Sequence, residues 1–393
     1  MKPQLVSKHP VFPIALLACA ASLTAGVTGR AADEGVTPAA REALGGLYVQ
    51  RNLVSDGAVS AEHLDANLVN AWGITHRGAS PWWVSDNGAG VSTLYDGEGI
   101  AQFGAPPLVV SIAGAGGHAG SPTGVVGNTG GSFEVSSGGA HEPAFFIFAS
   151  EDGTLSAWNP KVPPPVAPAI RSTTTVVVVD DSLAGAVYKG LTLAATSSGD
   201  ERLYATDFHG GAVRVFDGAF KPVATTGGFR DPTIPAGYVP FGIRAIGGTI
   251  YVTYALQDAD RHDDVPGQHH GYVNAFTPDG ELIGRVASRG KLDSPWGIAL
   301  APASGFGRFG GKLLVGNFGD GHIIGYSLAG DASEGGGAYL TGKGGRITIE
   351  GLWGLDFGND GAAGPASTLF FAAGPDDESA GLFGRIDFVR GGR

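Results

Sequence analysis

Apolar positions along residues 71–388 come in short runs, each broken by glycine or by polar residues. Six of these runs are Trp82-Trp83-Val84, Phe145-Phe146-Ile147-Phe148, Leu203-Tyr204-Ala205, Ile250-Tyr251-Val252, Leu313-Leu314-Val315 and Leu369-Phe370-Phe371. After each run comes a glycine, and five positions after that glycine a large apolar residue. The pairs are Gly90 and Tyr95, Gly153 and Trp158, Gly211 and Phe216, Gly271 and Phe276, Gly321 and Tyr326, Gly381 and Ile386. Two strand-like runs joined by a glycine-containing turn predict a β-hairpin. A glycine followed by an aliphatic residue precedes each hairpin: Gly73-Ile74, Gly124-Val125, Gly190-Leu191, Gly242-Ile243, Gly297-Ile298 and Gly354-Leu355. Further β-rich runs follow most hairpins, at Leu108 to Ile112, Thr174 to Val179, Glu281 to Val286 and Arg346 to Ile349. The repeat is therefore four short strands, a to d, in about 60 residues, with little helical periodicity.

Six such units predict an all-β, six-bladed β-propeller of four-stranded antiparallel blades, because a lone blade has no way to bury both its faces. The last unit lacks a strand d at its own C-terminus. Tyr48 to Val54 has strand composition and lies upstream of the first unit, so it is expected to complete blade six and close the ring. Strand a should run nearest the axis. The aliphatic residue after its glycine is assigned to interblade packing. The next residue, on the other side of the strand, is assigned to the channel wall: Thr75, Val126, Thr192, Arg244, Ala299 and Asp356.

Composition narrows the class. With 67 glycines, 24 prolines and only 16% charged residues, the chain is neither a coiled coil nor a disordered acidic segment. A net charge of -12 speaks against a nucleic-acid binder. Lys2 and Lys8 before the apolar stretch Val11 to Val27, with Gly29-Arg30-Ala31 after it, read as a secretory signal over residues 1–31, too short and too rich in small residues for a membrane span. Residues 32–47 read as a linker, 48–388 as the propeller and 389–393 as a tail. The expected location is the periplasm or the extracellular space, as a monomer with no transmembrane span. Cys19, the only cysteine, sits in the leader. Leu16-Leu17-Ala18-Cys19 resembles a lipobox, which would instead make the protein an outer-membrane lipoprotein; the alternative is a small apolar residue within the leader. Without Cys19 the mature chain has neither a disulfide nor a thiolate ligand.

Candidate chemistry lies at the rim formed by the b–c turns and d–a connections. Asp86, Asp207 and Asn317 each stand four residues before a turn glycine. They read either as Asx turns or as oxygen donors for Ca²⁺. Asn87 and His209 lie beside them. Arg244 and Asp356 are expected to pair across the channel, as a structural plug or as a ligand-orienting pair. The blade-four turn carries Asp258, Asp260, Arg261, His262, Asp263, Asp264, His269 and His270. Of these, Asp258, Asp260, His262, Asp263, His269 and His270 are the metal-ligand candidates, for Ca²⁺ or another divalent metal; a solvated polar loop is the other reading. Trp82 and Tyr238 are candidates for stacking on sugars.

Asn52-Leu53-Val54-Ser55-Asp56, Asn67 to Ile74 and Trp83-Val84-Ser85-Asp86-Asn87-Gly88 resemble the opening motifs of an uncharacterised family of exported bacterial proteins. Some of its members carry a C-terminal exosortase-type sorting tail. Ser294 to Ile298 and Gly351 to Leu355 fit the same family's later repeats. The resemblance implies a secreted propeller similar in layout to six-bladed NHL-type domains, and it brings neither an activity nor catalytic residues. Two functions follow as expectations. The first is a non-catalytic scaffold that binds a protein or small-molecule ligand on the rim. The second is a Ca²⁺-dependent lactone or ester hydrolase at the channel mouth, with Asp86, Asp207, Asn317 and His209 as ligands or base.

Overall fold

The computed structural model describes residues 46–328 and 336–390. The expected leader, Cys19 and most of the linker and tail lie outside them. The described residues form six blade sheets around an axis, antiparallel but for a short parallel pairing of Val54 and Ser55 with His63–Leu64, with two small hairpins besides and no α-helix. In blade one the strands are Ala71–Thr75, Trp82–Asp86, Val91–Tyr95 and Val110–Ser111. Strand b shows why the apolar runs look continuous. Successive side chains leave opposite faces, and both faces are covered. Trp82 packs on Phe370 of blade six, with ring centres 4.9 Å apart. Trp83 stacks on Phe146 of blade two at 4.1 Å. Trp82 is fully buried, and its indole N–H donates to Ala363 O at 2.8 Å, so it is interblade core and no sugar platform.

The glycine before each aliphatic residue is required by the neighbouring blade. A Cβ on Gly73 would lie 2.4 Å from Thr123 O, on Gly124 2.6 Å from Leu191 N, and on Gly190 2.9 Å from Phe241 O. On Gly242 it would lie 2.1 Å from Trp296 O, on Gly297 2.5 Å from Trp353 O, and on Gly354 2.5 Å from Trp72 O. Strand a of every blade thus touches strand a of the next, and the sixth returns to the first. Only a residue without a side chain permits that approach at the crowded axis.

The ring closes as expected. Gly46–Ser55 pairs antiparallel with Leu382–Arg390, from Gly46 opposite Arg390 to Ser55 opposite Leu382. The Tyr48 hydroxyl crosses to blade five and donates to Phe306 O at 2.8 Å. Four details differ from expectation. Blade three has three strands, and Ala299 lies in the core between blades five and six, off the channel wall. The outer strand of blade five is Ala338–Tyr339, whereas Arg346 pairs with Thr341 in a separate small hairpin. And the aliphatic residues serve both tasks. Ile74, Val125, Leu191, Ile243, Ile298 and Leu355 belong to interblade clusters and also wall the axis, where they leave a cavity of about 30 Å³. That is room for about one water molecule. The channel is pinched at its waist, and its two mouths are separate places.

Candidate functional site

At the mouth ringed by b–c turns, the residues preceding the six axial glycines are Trp72, Thr123, Lys189, Phe241, Trp296 and Trp353. Four are aromatic and form a floor. Trp72 stacks on Trp353 at 3.7 Å, and Phe318 covers the other side at 3.9 Å. Trp296 meets both tryptophans edge-on, at 5.9 and 5.8 Å. Asn70 holds the stacked pair in place. Its Oδ1 accepts from Trp72 Nε1 at 2.9 Å and from Trp353 Nε1 at 3.2 Å.

Lys189 is the one charged member of this ring, and it is fully buried. Its ammonium lies 4.9 Å from the Trp72 ring centre and donates to Glu151 Oε1 and, at 3.1 Å, to Asp263 Oδ1. Burial alone would push this amine down, but Glu151 and Asp263 outweigh it and hold it above its ordinary range. The network continues outward. Asn87 donates to Glu151 Oε2 at 2.8 Å, and Asn70 donates to Glu378 Oε2 at 2.6 Å. His262 Nδ1 lies 3.0 Å from Asp263 Oδ1. Partial burial pushes the Asp263 carboxyl up, yet Lys189 and His262 prevail and keep it below the usual range. Burial raises Glu378, and Glu151 nearby adds to the rise. Burial also pushes Asp264 up to about 6, and its Oδ2 has no partner among the described residues.

The mouth therefore gathers four carboxyl groups, one imidazole and one ammonium. Ligand atoms of Glu151, His262 and Asp263 all lie within 4.8 Å of one another. Glu151 comes from the blade-two turn, the other two from the long blade-four turn. Two carboxylates and an imidazole form a donor set that suits divalent transition metals.

The remaining candidates go elsewhere. Asp258 Oδ1 accepts from His262 N at 2.9 Å and shapes the turn. His270 Nδ1 is 2.9 Å from Val265 O, and Asp260 and His269 are exposed. None of these four joins the group around Glu151. His209 lies 3.0 Å from Arg261. Asp207 Oδ1 accepts from Gly210 N at 2.8 Å and its Oδ2 from Arg214 Nε at 3.1 Å, which is turn capping with a charge partner. Asn317 donates to Lys291 O at 2.8 Å and Asp320 Oδ1 at 2.9 Å. Asp86 is wholly buried with neither oxygen partnered among the described residues, and burial pushes its carboxyl well above the usual range despite Thr93 nearby. Arg244 and Asp356 do pair, but at the a–b mouth on the far side of the waist. Tyr238 lines a separate surface cavity of about 540 Å³ between blades three and four. Glu151, Lys189, Asn70 and Glu378 were not candidates from sequence. Only Lys189 carried a signal, as the single charge in a ring position otherwise held by Trp, Phe and Thr.

No family model matches the chain. Among solved structures, a protein of unknown function from Bacteroides thetaiotaomicron covers 86% of this chain and 76% of its own, at a TM-score of 0.51 and 11% identity. A glucose dehydrogenase covers 88% of this chain and 100% of its own, at 0.50 and 14%. Identities this low speak to the fold alone. Of what the opening motifs implied, the six-bladed fold is borne out by the sheet order; the sequence relatives are viral. One uncharacterized protein of Acanthamoeba polyphaga mimivirus is 32% identical over 347 residues, covering 85% of this chain and 78% of the relative. A second from the same virus is 33% identical over 350 residues, covering 85% and 84%. With that identity over most of both partners, the chain belongs to the family of these two mimivirus proteins.

Proposed function

We propose that the protein is an exported binding propeller whose b–c mouth takes a divalent cation on Glu151, His262 and Asp263. The observation that carries this reading is the convergence, within 4.8 Å, of three donors from two different blades. The charge balance supports it. Glu151, Asp263, Glu378 and Asp264 surround one lysine, so the mouth attracts positive charge whenever the carboxyls are ionised. In the ion-free protein the Lys189 ammonium is the counter-charge that Glu151 and Asp263 share. An arriving dication competes with it for the same oxygens, and His262 adds a nitrogen ligand, which favours Zn²⁺ or Mn²⁺ over Ca²⁺.

Equilibrium dialysis with Zn²⁺, Mn²⁺ and Ca²⁺, followed by elemental analysis, tests the reading. The expected result is one bound equivalent of Zn²⁺ or Mn²⁺, weakened at least about tenfold by Glu151→Gln and by His262→Ala. Asp260→Ala and His269→Ala should leave it unchanged. No bound metal, or equal binding by Glu151→Gln, refutes it. Export rests on residues 1–31, and mass spectrometry of the secreted chain should find an N-terminus near Ala32. A chain that stays in the cytoplasm with those residues intact would end that part of the proposal. The hydrolase reading draws on Asp264, a carboxyl that burial pushes up to about 6, toward the range of a general base. A screen of lactones and esters with each metal tests it: turnover lost in Asp264→Asn supports hydrolysis, and no turnover leaves binding as the function.

A further inference from the structure

We propose that the opposite, a–b mouth is a second binding site, and that it takes a zwitterion, an α-amino acid with an apolar side chain. This mouth opens into a cavity of about 390 Å³ lined by Thr75, His76, Val126, Thr192, Arg244 and Asp356. The volume falls in the range of small-ligand sites. Leu191, Leu193 and Val125 add apolar wall.

The polar groups are few and complementary. Arg244 of blade four donates through Nη2 to Asp356 Oδ2 of blade six, across the axis. Both partners keep some solvent contact, at 32% and 13% of the side-chain surface. Asp356 Oδ1 accepts from Phe357 N at 2.9 Å, so one carboxylate oxygen is committed to the backbone and the other to Arg244. His76 is fixed in the wall. Its Nε2 lies 3.1 Å from Phe357 O. A carbonyl oxygen only accepts, so Nε2 carries a proton. That Nδ1 is buried with no partner among the described residues. The pocket thus presents a guanidinium and a carboxylate, with Thr75 and Thr192 in its wall.

Charge bookkeeping selects the ligand. A simple carboxylate that captured Arg244 would strand Asp356, and a simple amine that captured Asp356 would strand Arg244. Leaving one member of a partly buried pair without its counter-charge is unfavourable. A zwitterion replaces one ion pair with two: its carboxylate meets Arg244, and its ammonium meets Asp356. The aliphatic wall then receives an apolar side chain.

Isothermal titration of the full chain with L-leucine, 4-methylpentanoate and 3-methylbutylamine separates these cases. Saturable leucine binding at one site is expected, with each singly charged analogue at least about tenfold weaker. The double variant Arg244→Met, Asp356→Leu should lose leucine binding while keeping its melting temperature, because apolar replacement of a partly buried ion pair is commonly neutral or stabilising. The proposal is overturned if leucine gives no saturable binding, if an analogue binds as tightly, or if leucine binding survives in the double variant. The comparison among the three ligands stands on the wild type alone. Dialysis at the other mouth reads out independently, so either site fails without the other.

Discussion

Asp264 offers a stability measurement with a definite sign. Its carboxyl stands at about 6 in the fold against an ordinary 3.8, because burial disfavours the charged form. Each unit is worth about 1.4 kcal/mol, so ionising this group costs the native state roughly 3 kcal/mol. Below about pH 4 both states hold the proton, and nothing is lost. As pH rises from about 4 to about 6, the unfolded chain releases its proton while the fold retains it, and stability falls. Above about 6 the loss is complete and constant. Asp264→Asn keeps the size of the side chain and has no charge to bury. Urea denaturation of both proteins, followed by tryptophan fluorescence at pH 4, 5, 6 and 7.5, should show the variant gaining about 3 kcal/mol relative to wild type between pH 4 and pH 7.5. A difference that stays flat across this window would refute the reasoning, since it would mean that Asp264 ionises as readily in the fold as in water.

Two further outcomes follow from the axis. Lys189→Met keeps the aliphatic stem but leaves Glu151 without its ammonium, and denaturation at pH 7 should show a loss of about 3–5 kcal/mol, partly restored by adding Glu151→Gln. Gly242→Ala places a methyl 2.1 Å from Trp296 O and should destabilise by about 3 kcal/mol or more, whereas Gly131→Ala, with nothing within 4 Å, should stay within about 0.5. Equal melting temperatures for the two alanine variants would contradict the axial contact.

The fold was legible because a blade constrains its residues locally. The turn glycines of blades one, two, three and five have positive φ, of 66, 81, 64 and 68° for Gly90, Gly153, Gly211 and Gly321. Gly381 is required for another reason: a Cβ there would sit 1.7 Å from Leu68 O. The fourth strand of blade six was legible by elimination, since an open ring leaves an unpaired edge. The blade-five outer strand was misplaced because Arg346 to Ile349 has the stronger β composition, while Ala338–Tyr339 pairs through only two residues.

The site was only half legible, for a reason that Asp86, Asp207 and Asn317 make plain. They occupy one repeat position, yet one has no partner among the described residues, one caps a turn against Arg214, and one bridges Lys291 and Asp320. A repeat dictates where a side chain stands. What that side chain does is decided by residues far along the chain. Lys189 meets Glu151 across 38 residues and Asp263 across 74, and Asn70 meets Glu378 across 308. No spacing rule encodes such pairs. What the repeat does expose is an exception to itself. A lysine at a position otherwise filled by Trp, Phe and Thr must find partners or unfold the axis, because an unpaired ammonium costs several kcal/mol there. Lys189 is the one discordant residue of its repeat position, and the carboxylates of Glu151 and Asp263 are what hold it.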